Sequence, residues 1–343
     1  MEYRNLGNSG AVVSKHALGT MTFGAEATEE TSHRILDGYV EAGGNFIDTA
    51  DVYSSGVAEE ILGRWLAQRP EAKDQVVLAS KGRFPMGAGP NDAGTSGRHL
   101  RRALDASLLR LGVEQIDLYQ MHAWDPLTPI EETLRFLDDA VSSGKIGYYG
   151  FSNFTGWQLT KAVHVAKKHG WAPPVTLQPQ YSLLVREIEL EVVPASRDAG
   201  IGLLPWSPLG GGWLSGKYRR DQAPTGATRL GENPERGMEA WKQRNAEEQT
   251  WRIIGTVEEI AKAREVSAPQ VSLAWLADRP GVTSVILGVR TTAQLTDNLA
   301  AADLILTAEE TAKLTEVSEP RVGVYPYGLP AKEQRSRRRD GGR

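Results

Sequence analysis

Along most of this chain a short apolar run is followed by a longer stretch with helical spacing, and the alternation repeats. That repetition restricts the possible folds more than any single motif does. Eight apolar runs can be picked out, at residues 16–19, 45–48, 76–80, 116–122, 146–151, 176–179, 201–206 and 284–288. Between them lie helix patterns. Residues 28–42 open on Thr28, with Thr31 as its partner and Glu29 and Glu30 in the first turn, and close before Gly43 and Gly44. Residues 100–111 carry Leu104, Leu108 and Leu111 on one face and stop at Gly112. Residues 130–143 and 157–169 stop at Gly144 and Gly170. Continuous apolar strands separated by helices imply a parallel sheet, and eight such repeats imply a closed (β/α)8 barrel. No G-x-G-x-x-G opens a helix after the first strand, so a doubly wound dinucleotide fold is not expected.

The barrel is expected over residues 1–329, with a polar tail at 330–343. Residues 210–246, rich in Gly, Pro, Arg and Glu, read as a long loop over the barrel mouth. The segment Pro326-Tyr327-Gly328-Leu329 either covers the barrel or meets a neighbour, which leaves a homo-oligomer open.

Composition removes several functions. The chain has no cysteine, so disulfide scaffolds, thiol nucleophiles, zinc ribbons and iron–sulfur clusters are excluded. Its 39 basic and 43 acidic side chains give a net charge of −4, which does not favour a nucleic-acid binder. The N-terminus lacks a basic segment followed by an apolar one, and no apolar run reaches about 18 residues, so a soluble, cytoplasmic protein without membrane contact is expected.

In a barrel of this kind the chemistry sits where the strands end. There the sequence puts Asp48, Tyr53, Lys81, His122, Ser152, Asn153, Gln178 and Trp206. Each alone has an ordinary reading: a cap, a packing aromatic, a solvated lysine, a satisfied core histidine. Brought to one rim they make a proton-donating site. A tyrosine hydroxyl, with a pKa of about 10, is a poor acid at neutral pH. A lysine ammonium beside it stabilises the phenolate and draws the pKa down, and a carboxylate keeps that lysine charged. A neutral histidine can align a carbonyl oxygen. Metal sets and nucleophile elbows are missing: His122 has no second close ligand, and neither H-E-x-x-H nor G-x-S-x-G occurs. A glycosidase-type hydrolase needs a second carboxylate at the rim, and only Asp48 is well placed.

A carbonyl that takes a proton also needs a hydride, which calls for a nicotinamide cofactor. Ser152, Asn153 and Gln178 can bond a carboxamide, and Trp206 offers a flat face for the ring. Lys217, Arg229 and Arg290 are candidates for a phosphate-bearing end. The pocket wall is expected from Met21, Phe23, Tyr53, Phe84, Trp124 and residues 210–246, which weakly favours hydrophobic or aromatic carbonyl compounds.

These residues resemble the aldo-keto reductase superfamily. Residues 46–53 are similar to its Asp-Thr-Ala-x-x-Tyr signature, 78–81 to its lysine strand and 117–122 to its histidine strand. Residues 150–154 and 178–181 are similar to its amide-binding segments. Residues 206–212 with 215–218 resemble its pyrophosphate loop, and 286–290 with Gln294, Leu295 and Asn298 its adenosine-phosphate segment. The resemblance runs in order from about Arg4 to Leu329. It implies a (β/α)8 barrel and NAD(P)H-dependent reduction of aldehydes or ketones, with NADPH preferred. It implies Tyr53 as proton donor, Asp48 and Lys81 as its tuning pair and His122 as the carbonyl-orienting group. It further implies cofactor contacts at Asp48, Ser152, Asn153, Gln178, Trp206, Ser207, Leu209, Gly211, Lys217, Arg229, Gly288, Arg290, Gln294 and Asn298.

Some positions depart from the pattern. Trp206 stands where many members carry Tyr, which is similar to the branch containing the potassium-channel β subunits, and the long segment 210–246 resembles that branch too. Residues 56–60 lack the serine often found before the glutamate, and Arg290 stands where that branch often has Ser. That kinship keeps open a second function, an interaction protein that uses bound NADP(H) as a redox sensor. The complete Asp48, Tyr53, Lys81 and His122 set favours an enzyme.

Overall fold

A computed structural model describes residues 1–220, 222–226, 229–232, 234, 239–329 and 331. Eight parallel strands follow one another around a sheet: β3 (His16–Gly19), β4 (Phe46–Asp48), β5 (Val77–Gly82), β6 (Ile116–Met121), β7 (Ile146–Ser152), β8 (Thr176–Gln178), β9 (Gly202–Leu203) and β10 (Val285–Gly288). β10 pairs with β3, so the first and last strands of the repeat are neighbours. The ring closes between β9 and β10 through backbone bonds: Leu203 N–H to Gly281 O (2.9 Å), Thr283 N–H to Leu203 O (2.9 Å) and Ile286 N–H to Pro205 O (2.9 Å). This is the expected (β/α)8 barrel.

The apolar runs become strands with small changes at their ends. The largest change is at 201–206, where the regular ladder covers only Gly202 and Leu203. Pro205 has no N–H to give, so the ladder breaks there, although Leu204 and Trp206 still donate to Leu177 O and Pro179 O. One sheet element has no counterpart in the sequence reading. β1 (Tyr3–Asn5) and β2 (Val12–Ser14) form an antiparallel hairpin before the barrel. Its Leu6 and Val13 are buried with Ala17, Phe46, Ala79, Leu118 and Ile286 in the small core inside the ring.

Along each strand, side chains alternate between that inner core and the larger one beneath the helices. Phe46, Ala79 and Leu118 point inward. Ile47, Leu78, Tyr119 and Met121 point outward. The inner faces of β4, β5 and β6 therefore continue to Asp48, Lys81 and Gln120. The step after Gln120 on that face is His122.

Caps fix the helix ends. Thr28 accepts from Thr31 N–H ahead of Glu29–Glu41, as expected. The helix expected from residue 100 begins earlier, at Gly97, because Ser96 caps it through His99 N–H; it ends at Gly112 with φ +64°. The helix Ala268–Ala277 is buried on nearly every side, so it carries no amphipathic stripe to reveal it.

The segment 210–246 is more than a loop. Its described residues contain a 3-10 turn at Gly210–Ser215 and short helices at Arg229–Glu232 and Trp241–Asn245. A buried aromatic stack anchors it. Trp213 lies parallel to Trp241 at 4.9 Å and meets Tyr218 and Trp251 edge-on. Of the expected polar tail, only Ala331 lies among the described residues, and it is buried.

Candidate active site

β4 and β5 are adjacent in register, Asp48 beside Ala79, so the next inward residue of β5 reaches over Asp48. Lys81 Nζ lies 2.5 Å from Asp48 Oδ2, 2.8 Å from Thr49 O and 3.2 Å from the Tyr53 hydroxyl. Lys81 is 0% exposed and Asp48 2%. The other carboxylate oxygen of Asp48 accepts from Gln178 Nε2 at 2.8 Å and from Gln120 Nε2 at 3.4 Å. The chain turns after β4, with Tyr53 N–H donating to Ala50 O at 3.2 Å, and runs on through Ser54 and Ser55 at positive φ. The His122 ring stands nearly perpendicular to that of Tyr53, with centroids 5.8 Å apart, and Phe84 meets it edge-on at 4.7 Å.

The electrostatics follow from burial against charge. Burial pulls the Lys81 ammonium toward neutrality, but Asp48 and Tyr53 outweigh it and hold its pKa above the ordinary value. For Tyr53 the balance is opposite to the sequence expectation. Burial raises the phenol, Lys81 works against that, Asp48 adds to it, and the net direction is up. Lys81 thus limits a rise rather than producing a fall. His122 is pushed down to about 2 by burial and by the Lys81 and Arg83 charges, so its imidazole is neutral at physiological pH.

Beyond this group runs a channel of about 690 Å³ that begins at Asp48, Tyr53 and His122 and continues past Trp206 to Arg290 and Asn298. Ser152, Asn153, Gln178, Ser207, Leu209, Gly211, Lys217, Gly288 and Gln294 also line it. Asn153 is a junction: its amide donates to His122 O (3.0 Å) and Ser152 Oγ (3.1 Å) and accepts from Trp206 Nε1 (3.0 Å). It sits at φ +58° and Ser207 at +53°, backbone conformations that non-glycine residues adopt at a cost and that cluster at functional sites. Gln294 Oε1 accepts from Arg290 N–H at 2.8 Å. The Arg290 guanidinium lies 3.6 Å from Glu26 and 3.7 Å from Glu232. Lys217 is exposed, its ammonium 5.4 Å from the centroid of the Tyr218 ring. The side chain of Arg229 lies outside the described residues.

Three expected wall residues, Phe23, Phe84 and Trp124, are not among those lining the channel; Phe84 packs instead edge-on against the His122 ring. Phe23 is completely buried in the outer core and cannot line the pocket; its neighbour Met21 is exposed and does. Trp124 packs edge-on against Phe154 and Trp157. Gln120 escaped the sequence reading, although its place two residues before His122 puts it on the same strand face. Glu26, Thr22 and Asp297 also line the channel without having carried a motif. Among the described residues no three His, Asp or Glu are grouped to hold a metal, and no helix is long and apolar enough to cross a membrane.

The model of the aldo/keto reductase family matches residues 17–319. The Bacillus subtilis oxidoreductase YrpG is 39% identical over 325 residues, covering 92% of this chain and 96% of its own. A rice protein named "Probable voltage-gated potassium channel subunit beta" is 35% identical, covering 94% and 98%. Versiconal hemiacetal acetate reductase of Aspergillus parasiticus is 33% identical, covering 95% and 99%. The chain belongs to the aldo/keto reductase family.

Proposed function

We propose that this aldo/keto reductase binds NADPH along the channel and reduces an aldehyde or ketone to the alcohol, with Tyr53 giving the proton. The observation that carries the reading is the buried triad: a fully enclosed Lys81 ammonium held at 2.5 Å by Asp48 and at 3.2 Å from the Tyr53 hydroxyl. The residues present suit the cofactor. Trp206 at the channel gives an indole face to a flat ring, Gly288 has open space where a side chain would point, and Lys217 and Arg290 bring positive charge farther along. A reduced nicotinamide supplies the hydride when bound.

The chain's own part is proton delivery and alignment. Neutral His122 offers a hydrogen bond to the carbonyl oxygen without adding a charge, and the hydroxyl of Tyr53 hands its proton to that same oxygen. Negative charge then developing on Tyr53 is met by Lys81, whose ammonium Asp48, Gln120 and Gln178 fix in place through the carboxylate. Ser152, Asn153 and Gln178 serve the carboxamide. Ser207, Leu209 and Gly211 serve the central phosphates, and Lys217, Arg229, Arg290, Gln294 and Asn298 the adenosine end.

Titration with NADPH and NADH, followed by tryptophan fluorescence and then by nucleotide consumption with a panel of aldehydes and ketones, tests this. NADPH should quench the tryptophans at lower concentration than NADH and be consumed by a carbonyl compound. Binding of neither nucleotide would end the reading. Binding without turnover would favour the second reading, an NADP(H)-sensing partner protein, which rests on the channel-subunit relatives.

A further inference from the structure

The long segment after β9 touches the channel through Gly211, Gly212, Ser215 and Lys217. Its turn is tied to Ser207, whose carbonyl accepts from Gly210 N–H at 2.9 Å and whose Oγ accepts from Gly211 N–H at 3.1 Å. Gly210, Gly211 and Gly212 all have positive φ, and each rests against a side chain. A methyl group would meet Leu184 Cδ1 at 2.8 Å if added to Gly210, Glu239 Cβ at 3.2 Å at Gly211 and Lys217 Nζ at 2.8 Å at Gly212. Glu239 is buried and is not among the residues lining the channel. It is held at three atoms. Oε1 accepts from Gln180 Nε2 at 2.5 Å, Oε2 from Arg244 Nε at 2.8 Å, and its carbonyl oxygen from Trp213 Nε1 at 3.0 Å. Arg244 also donates to the carbonyl oxygen of Leu184 at 3.2 Å, the residue against Gly210. Gln180 belongs to the segment beside Trp206: Trp206 N–H donates to Pro179 O at 3.0 Å, and Tyr181 N–H to Trp206 O at 3.4 Å.

We infer that Glu239 is a positioning residue for nucleotide binding: it fixes the Gly210–Ser215 turn at the distance from Trp206 that a dinucleotide needs to place its ring and its diphosphate together. A carboxylate is a rigid, planar group with two acceptor oxygens. Here one oxygen is held by the segment after β8 that flanks Trp206, and the other by the short helix Trp241–Asn245. Burial makes both bonds obligatory, because releasing either leaves a buried polar group unanswered. The turn cannot then shift toward Glu239, whose side chain fills the space beside Gly211. Trp213, three residues past Gly210, is pinned to the backbone of the same residue. Glu239 therefore acts from behind the turn, through Gly211 and Trp213, and touches no ligand itself. A ligand that spans the ring site and the turn depends on their spacing. One confined to the adenosine end does not.

This rests on the cofactor reading above, and that dependence sets the test. Titration calorimetry of the full chain compares NADPH with adenosine 2′,5′-bisphosphate, which carries the adenosine end but no diphosphate and no nicotinamide. In Glu239→Ala the affinity for NADPH should fall about tenfold, while that for the bisphosphate should change by less than about twofold. Unchanged NADPH affinity overturns the inference. Equal weakening of both ligands overturns it too, since that is the signature of a channel loosened along its whole length. Should Glu239→Ala fail to fold, Gln180→Ala carries the test, because it removes the neutral contact and keeps the pair with Arg244. It should weaken NADPH about threefold and leave the bisphosphate unchanged; no selective loss overturns the inference. NADPH binding that ignores these substitutions removes Glu239 and leaves the cofactor reading standing. An unsubstituted chain that binds neither ligand overturns both.

Discussion

Two buried ion pairs stand on opposite sides of one strand, and they are built for different ends. Outside the barrel wall, Glu59 takes two bonds from Arg110 and one from Ser80. Each of these hydrogen bonds is with another part of the scaffold, so the pair joins the helix Val57–Gln68 to Gly97–Leu111. Inside the wall, Lys81 and Asp48 are as deeply buried, yet Lys81 also touches the Tyr53 hydroxyl, which lines an open channel. A charge pair stabilises a fold when its partners are all internal, and it can do chemistry when one partner faces a ligand.

That contrast can be broken by substitution on each side. Lys81→Met should reduce carbonyl turnover about a thousandfold, since the acid loses the charge that receives its developing phenolate. Its fold should suffer less, because Asp48 keeps the Gln178 and Gln120 amides. Nucleotide-consumption kinetics beside a denaturant titration would show the split. Arg110→Met should do the opposite. It leaves Glu59 buried with only Ser80, so unfolding free energy should fall by about 3–5 kcal/mol while the turnover of the folded fraction is kept. Equal effects of the two substitutions on both readouts would erase the distinction.

Smaller effects sharpen the account of the channel. Arg290→Ala should weaken NADPH binding about tenfold, or about 1.4 kcal/mol, and NADH binding less, as a loss of phosphate contact would. An unchanged preference would mean that Arg290 serves contacts within the chain, such as those with Glu26 and Glu232. A separate effect concerns acid. His122 binds its proton only near pH 2 when folded and near 6.5 when unfolded, so the unfolded state takes up more protons between those values. Its contribution to stability is complete above about 6.5 and is lost as pH falls below that. His16, lowered to about 4 by burial, acts in the same sense. Thermal midpoints measured from pH 7 to pH 4 should fall, and should fall less steeply for His122→Gln.

The barrel was legible because the apolar runs and helix stops recur in order, and because residues such as Thr28 and Gly112 mark helix ends chemically. The site was legible for the same reason: a strand end fixes where a side chain points, so Asp48, Lys81 and His122 could be assembled from position alone. What escaped lacked periodicity. The N-terminal hairpin is three residues a side, and the helix Ala268–Ala277 has no polar face. Trp213 looked like part of a loop because its stacking partners are distant in sequence. Phe23 reads as pocket wall in the sequence but is buried in the outer core, because the turn that directs its side chain there leaves no periodic signal. The direction of the Tyr53 shift was missed because residue type reveals the neighbouring charge but not the depth of burial that opposes it.

The most direct test of Tyr53 as the acid pairs two assays on one substitution. Tyr53→Phe removes a single oxygen and keeps the ring. Fluorescence titration should give an NADPH affinity close to that of the unsubstituted protein, while carbonyl reduction should drop by a factor of at least about 100. Turnover that survives the change, or nucleotide binding lost along with it, would contradict the assignment of Tyr53 as the proton donor held ready by Lys81 and Asp48.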